Sequence, residues 1–200
     1  MQKKEWTIAG IDYGSKMAGT TVIAHLKGKN IHLYGSVKKK DADAFILKWA
    51  NENNPTYIFL DAPLSLPGVY TQMEGYDDYF YRRSDKALGA MSPMFLGGLT
   101  ARAMKLKKQL TAQQIKILEV YPSQMATELS IKKLGYKKET SNITSLLKTL
   151  SPYLDSFHWN AQEINSWHHF DALLALISGI RFMQNLHYSV GSQEEGVIVV

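Results

Sequence analysis

The sequence predicts an α/β fold in which helices flank a mixed sheet of five strands. The first three apolar, β-branched segments are joined by short loops, which is typical of an antiparallel meander. A strand, a helix and another strand follow in that order, and such a crossover connects parallel neighbours in a sheet. A long segment that begins near Ser166 carries apolar residues over a broad face, as a helix packed on a sheet does.

Composition narrows the class of protein. The chain has 200 residues, of which 45% are hydrophobic and 20% charged, and this favours one domain over residues 1–200. The cysteine count of 0 excludes a disulfide framework, a thiolate zinc site, an iron–sulfur cluster and a cysteine nucleophile. No secretory signal and no apolar run of roughly 20 residues is visible, so we expect a cytoplasmic protein without a membrane segment. The net charge of +5 is compatible with a polyanionic partner without requiring one.

The N-terminal third supplies four of the expected strands. The glycine turn at Gly28 suits a hairpin between the second and third of them, and Asp41 or Asp43 is placed to cap a helix whose apolar face includes Trp49. The four strands are expected at Trp6–Asp12, Thr20–Ala24, Asn30–Gly35 and Tyr57–Asp61.

A helical and loop insertion is expected after the fourth strand, over residues 64–110. Its first part, 64–98, is rich in Gly, Pro, Met and Tyr and lacks a sustained period. Structureless connections of that length are usually functional or wrongly assigned, and short helices are expected within this one. Residues 99–110 form a helical pattern. The later elements are a fifth strand at 115–121, a helix at 124–133 capped by Ser123, a helix at 143–150, the long final helix, and a strand-like tail, 196–200, with no assigned position.

Acidic residues end or nearly end three of the strands. They are Asp12, Asp61 and Glu119, and Asp171 lies near the start of the final helix. Open α/β sheets bind ligands beyond the carboxyl ends of their strands, so we expect the four acids to meet there. Four clustered carboxylates repel one another unless a cation lies among them, and oxygen ligands without cysteine favour Mg²⁺ or Mn²⁺ over zinc.

Each acid also has a structural interpretation. Asp12 is suited to an Asx-turn before Tyr-Gly-Ser, and Asp61 to capping the turn that follows it. Glu119 lies in an apolar strand, where a salt bridge to a Lys or Arg would stabilise it. Asp171 is placed to interact favourably with the dipole of the final helix. The metal interpretation therefore depends on the convergence of all four.

Five motifs occur in an order that resembles family 429 of the domains of unknown function. The resemblance extends from residue 7 to about residue 182. The five motifs in this order indicate the family more specifically than any one of them alone. The motifs are Gly10-Ile11-Asp12-Tyr13-Gly14, Leu60-Asp61-Ala62-Pro63-Leu64, Arg82-Arg83-Ser84-Asp85, Leu118-Glu119-Val120-Tyr121-Pro122 and His168-His169-Phe170-Asp171-Ala172-Leu173.

The resemblance implies a ribonuclease H-like fold and a nuclease that uses two metal ions. By position, Asp12, Asp61 and Asp171 match the acids that hold two magnesium ions in ribonuclease H and in Holliday-junction resolvases. Glu119 matches the family's own Glu-Val-Tyr-Pro motif and is expected to be a fourth ligand or an outer-shell group. One ion, held by Asp12 and Asp171, would activate a water, and a second, shared by Asp12 and Asp61, would stabilise the leaving oxygen.

Three further residues complete the expected site. The motif match favours Arg83 as a contact to the substrate phosphate and Asp85 as its orienting partner, although a solvated surface pair explains Arg82-Arg83 equally well. His168 precedes Asp171 by about one helical turn, so it is placed to shuttle a proton to the leaving group or to orient Asp171. A histidine that merely begins a helix is the alternative.

The expected partner is nucleic acid, with DNA and RNA both open. Short lysine runs and the tyrosines of the insertion suit a groove of cations and stacking rings, although solvated helix faces also explain such runs.

Two other classes of protein remain open. An actin-like or sugar-kinase-type nucleotide-binding protein would need a second domain half or an obligate dimer. A catalytically inactive nucleic-acid-binding or scaffold protein on a former nuclease fold would need no metal. Oligomeric state is not fixed, and a dimer is possible.

Overall fold

A computed structural model describes residues 6–72 and 74–200 and shows an α/β fold with a mixed sheet flanked by helices. Within these residues the sheet has seven strands in the order β3-β2-β1-β4-β5-β7-β6, two more than the sequence predicted. The additional pair follows the final helix: its second strand is the strand-like tail, and its first, Ser189–Ser192, is too short for a recognisable pattern. The strands are β1 Thr7–Asp12, β2 Val22–Lys27, β3 Asn30–Gly35, β4 Tyr57–Asp61, β5 Lys116–Val120, β6 Ser189–Ser192 and β7 Gly196–Val199.

The strand directions confirm the predicted meander and crossover. β1, β2 and β3 pair antiparallel, and β1, β4 and β5 pair parallel. The strand-like tail, to which the sequence assigned no position in the sheet, is β7. It pairs parallel with β5 and antiparallel with β6. The second strand lies a little later than expected, at Val22–Lys27. In the parallel centre Asp12 is in register with Asp61, so both side chains leave the sheet on the same face.

Seven α-helices are found in the described ranges. Asp41 caps the first, because its carboxylate accepts hydrogen bonds from the backbone of Asp43 and Ala44. The helix expected at 124–133 instead begins at Pro122, which needs no N–H partner in the first turn, and Ser123 is not its cap. The helices are α1 Ala42–Asn53, α2 Arg83–Leu88, α3 Pro93–Leu96, α4 Gly98–Thr111, α5 Pro122–Glu128, α6 Ile143–Leu154 and α7 Trp167–Met183.

Two apolar layers cover the two faces of the sheet. On one face α7 packs against β1, β2 and β4, with α5 and α6 beside it. On the other face α1 and α4 pack against residues such as Ile11, Ile58 and Ile117. None of the helices described for residues 6–72 and 74–200 is both long enough and apolar enough to cross a membrane.

Close packing between β1 and α7 depends on Gly10. A Cβ atom at this position would lie 2.1 Å from the backbone nitrogen of Leu176 and 2.6 Å from the carbonyl oxygen of Ala172. Both atoms belong to helix backbone, which cannot move aside as the end of a flexible side chain can. Glycine therefore lets α7 lie directly on β1, and this brings Asp171 close to the end of that strand.

The insertion is held to the sheet by Glu195, in the turn between β6 and β7. Its buried carboxylate accepts hydrogen bonds from the backbone nitrogens of Gly68, at 2.9 Å, and Arg83, at 2.8 Å. The Ser65 hydroxyl donates to the Glu195 carbonyl oxygen at 2.7 Å. The C-terminal hairpin thus fixes both ends of the segment that leads into α2.

Candidate metal centre

Three aspartates converge at the carboxyl ends of β1 and β4. Asp12 ends β1, Asp61 ends β4, and Asp171 lies in the second turn of α7. One carboxylate oxygen from each lies within 4.8 Å of the others. The structure thus brings together three of the four acids that the sequence predicted to meet.

The carboxylates of this group are poorly solvated. Asp171 is 2% exposed and Asp12 is 8% exposed. Burial raises the pKa of Asp61 well above its usual range, and the neighbouring charges of Asp12 and Asp171 raise it further. Burial also raises the pKa of Asp171. Three carboxylates in this setting favour either a bound cation or proton uptake.

A lysine and a tyrosine hold Asp171. The Lys137 ammonium lies 2.6 Å from Oδ2 of Asp171, and the Tyr136 hydroxyl donates to Oδ1 at 2.5 Å. Burial opposes the charge on Lys137, but Asp171, Asp61 and Asp12 together raise its pKa above its usual value. Lys137 belongs to one of the short lysine runs of the sequence, Lys137-Lys138. Its contact with Asp171 was not predicted, because a loop residue far from the acids in the chain carries no periodic signal.

His168 contacts the group from the start of α7. Its Nδ1 lies 2.8 Å from Oδ2 of Asp12, while about half of the side chain is exposed. This hydrogen bond raises the pKa of His168. The expected proximity to the acids is therefore present, but the hydrogen-bond partner is Asp12 rather than Asp171.

Asp61 differs from its two neighbours. In the described part of the chain its carboxylate has no hydrogen-bond donor, and the influences on its pKa are burial and charge alone. Its oxygens are therefore free to ligate. Three carboxylates from three separate elements form the hard oxygen donor set that Mg²⁺ and Mn²⁺ prefer, and the residues present fit such an ion.

Glu119 is not part of this group. It pairs in register with Leu60 rather than Asp61, and an offset of one residue turns a side chain to the opposite face of the sheet. Both of its oxygens accept from Arg82, at 2.5 and 2.7 Å, and one also accepts from the Leu64 backbone at 2.8 Å. Glu119, which was expected to be a metal ligand, is thus the salt-bridge partner of Arg82 in this structure.

The arginine pair of the insertion is divided between two environments. Arg82 is 0% exposed and also binds Asp85 through two side-chain nitrogens, at 2.7 and 3.0 Å. Asp85, expected to orient Arg83, is therefore the partner of Arg82. Arg83 is exposed, donates to the Gly75 carbonyl oxygen at 2.7 Å and lies over the Tyr76 ring. Its contact with a substrate phosphate stays a prediction.

Comparisons with known proteins leave this geometry as the main guide to function. The chain has no match among protein-family models, curated proteins or solved structures.

Proposed function

We propose that this protein is a metal-dependent nuclease that hydrolyses phosphodiester bonds on a ribonuclease H-like fold. One observation carries the proposal: Asp12, Asp61 and Asp171 come from β1, β4 and α7 and lie within 4.8 Å of one another. Three neighbouring parallel strands, β1, β4 and β5, beside an antiparallel meander support the fold that the motifs imply.

The three aspartates are the residues that would hold Mg²⁺ or Mn²⁺. An ion bound there supplies an activated water and neutralises charge on the phosphodiester. Asp12 also positions His168, whose Nδ1 is occupied by that hydrogen bond, so Nε2 is the atom available to donate a proton to the leaving oxygen. Lys137 opposes the effect of burial on the pKa of Asp171 and orients its carboxylate. Glu119 has a different role in this proposal, because it holds Arg82 in place.

Replacing Asp12 tests the proposal. The Asp12→Asn variant should fold as the wild type does and should lose Mg²⁺-dependent cleavage of DNA and RNA substrates offered as single strands, duplexes and branched junctions. Asp77→Asn, an exposed aspartate of the insertion, is the matched control and should cleave normally. Wild-type cleavage by purified Asp12→Asn would contradict the proposal.

The Lys137–Asp171 and His168–Asp12 pairs favour a second candidate, a nucleic-acid-binding scaffold without a metal. Lys137 neutralises the charge of Asp171, and His168 shares a hydrogen bond with Asp12, so two of the three carboxylates already have partners within the protein itself. Metal binding distinguishes the two functions. A nuclease site should gain thermal stability from Mg²⁺ or Mn²⁺ by mass action, whereas a scaffold should show no shift and should keep its nucleic-acid affinity in Asp12→Asn.

A further inference from the structure

A cavity adjoins the metal centre on the side of the insertion. Its volume is about 210 Å³, and Asp61 is a member of both the cavity wall and the aspartate group. Two tyrosines and several aliphatic side chains form most of the wall. Those that matter here are Tyr13, Tyr121, Pro63, Met91 and Leu99.

The polar part of the wall disfavours an anion. It consists of Arg82, Asp85 and Glu119, in which one guanidinium faces two carboxylates, and Asp61 adds a third acid nearby. Phosphate is therefore repelled from the cavity itself. The volume is below the range of pockets for drug-sized ligands, so it suits one uncharged ring system rather than a complete nucleotide.

Two exposed aromatic side chains belong to the same insertion, and one of them, Phe95, directly precedes Leu96 of the cavity wall. Phe80 and Phe95, which we call the aromatic rim, are 54% and 63% exposed, and their ring centres are 5.6 Å apart. The rim is tied to the cavity wall, because the Ser92 hydroxyl, next to Met91 in the chain, donates to the Phe80 carbonyl oxygen. Apolar rings that pack on each other while exposed to water are typical of a binding surface.

We infer that the substrate is a single-stranded nucleic acid, one base of which enters the cavity while adjoining bases stack on the aromatic rim. This inference rests on the proposed function, since it places the phosphate at the aspartate group. A neutral base suits the aromatic and carboxylate-lined wall, and aromatic rings bind successive bases of a single strand without sequence preference. A base in a duplex is stacked and paired, so it would have to be extruded before it entered.

Binding measured in EDTA tests the inference without any cleavage. Fluorescence anisotropy should show a labelled 12-nucleotide single strand binding wild-type protein about tenfold more tightly than the same sequence as a duplex, and about tenfold more tightly than an abasic strand of equal length and charge. Equal affinities would mean that charge alone drives binding and would overturn the inference. Failure of the proposed function appears separately, as absent cleavage when Mg²⁺ is added.

Two matched pairs of variants locate the contacts. Ala90→Phe fills the cavity and should weaken single-strand binding about tenfold, whereas Ala87→Phe, on the exposed face of α2, should not.

Removal of the aromatic rim in a Phe80→Ala/Phe95→Ala double variant should also weaken single-strand binding about tenfold, with the exposed Leu186→Ala as control. Because the rim is exposed, its loss should not impair folding. If the rim variant binds the single strand as tightly as wild type, the rim does not stack on bases, and the inference of a single-stranded substrate is overturned.

Discussion

The ammonium of Lys137 lies 2.6 Å from a carboxylate oxygen of Asp171, inside a group of three aspartates. Lys137 has a left-handed backbone conformation, with φ of 58°, in the loop that precedes α6. The loop therefore delivers a permanent cation to the site where the proposal puts a metal ion. The lysine stabilises the acids when no metal is bound, and its charge opposes a metal ion that approaches the same oxygens.

Removing this charge should have opposite effects with and without metal. In EDTA, Lys137→Met should lower the melting temperature, because Asp171 loses its cation. With metal, the same variant should bind Mn²⁺ on the order of tenfold more tightly, because a nearby positive charge is gone. Thermal unfolding and calorimetric titration measure the two effects. Lys138→Met, at the exposed neighbouring residue, should change neither. Weaker Mn²⁺ binding by Lys137→Met would show that the lysine does not compete with the ion.

Arg82 and Arg83 should differ sharply in their contribution to stability. Arg82→Met leaves the buried carboxylates of Asp85 and Glu119 without their cation and should cost about 3–5 kcal/mol of the free energy of unfolding. Arg83→Met removes an exposed guanidinium and should cost about 0.5 kcal/mol or less. Urea denaturation measures both values. An equal loss in the free energy of unfolding for the two variants would contradict a stabilising role for the buried ion pairs of Arg82.

His25 should make the fold less stable in mild acid. It is 1% exposed, its Nδ1 has no hydrogen-bond partner, and burial lowers its pKa from 6.5 to about 4. The unfolded chain binds a proton that the folded protein excludes, so stability is lost as the pH falls from 6.5 towards 4. Between pH 7 and pH 5 this contribution amounts to about 2 kcal/mol.

Denaturation of two variants at both pH values isolates this contribution. His25→Leu has no titrating group at the position and should lose about 2 kcal/mol less than wild type on acidification. His32→Gln, which replaces the exposed cross-strand neighbour, should keep most of the wild-type pH dependence. The same pH dependence in His25→Leu and wild type would contradict the burial argument.

The convergence of Asp12, Asp61 and Asp171 was predictable, because strand ends and the start of the final helix are visible in the sequence. Parallel neighbours in register then place Asp12 and Asp61 on the same face. The position of Glu119 was not predictable in this way. A motif shows that an acid lies near the end of a strand, whereas the side chain's face depends on a register that is set by tertiary pairing.

The insertion and the C-terminal hairpin were the least predictable parts of the fold. Arg82 meets Glu119 across 37 residues of chain, and Glu195 meets Gly68 across 127. Neither contact produces a period of two or 3.6 residues, which is the signal that sequence analysis reads. Short strands such as Ser189–Ser192 contain too few residues for alternation to be recognised.

Anomalous diffraction from crystals soaked in Mn²⁺ shows whether the three aspartates hold a metal ion. We expect a manganese peak within ligand distance of oxygens from Asp12, Asp61 and Asp171, and no peak at Glu119. The same soak of Asp12→Asn crystals should show the peak weakened or lost. A wild-type crystal with no manganese among the three aspartates, and with Lys137 still bound to Asp171, would contradict the proposed metal site.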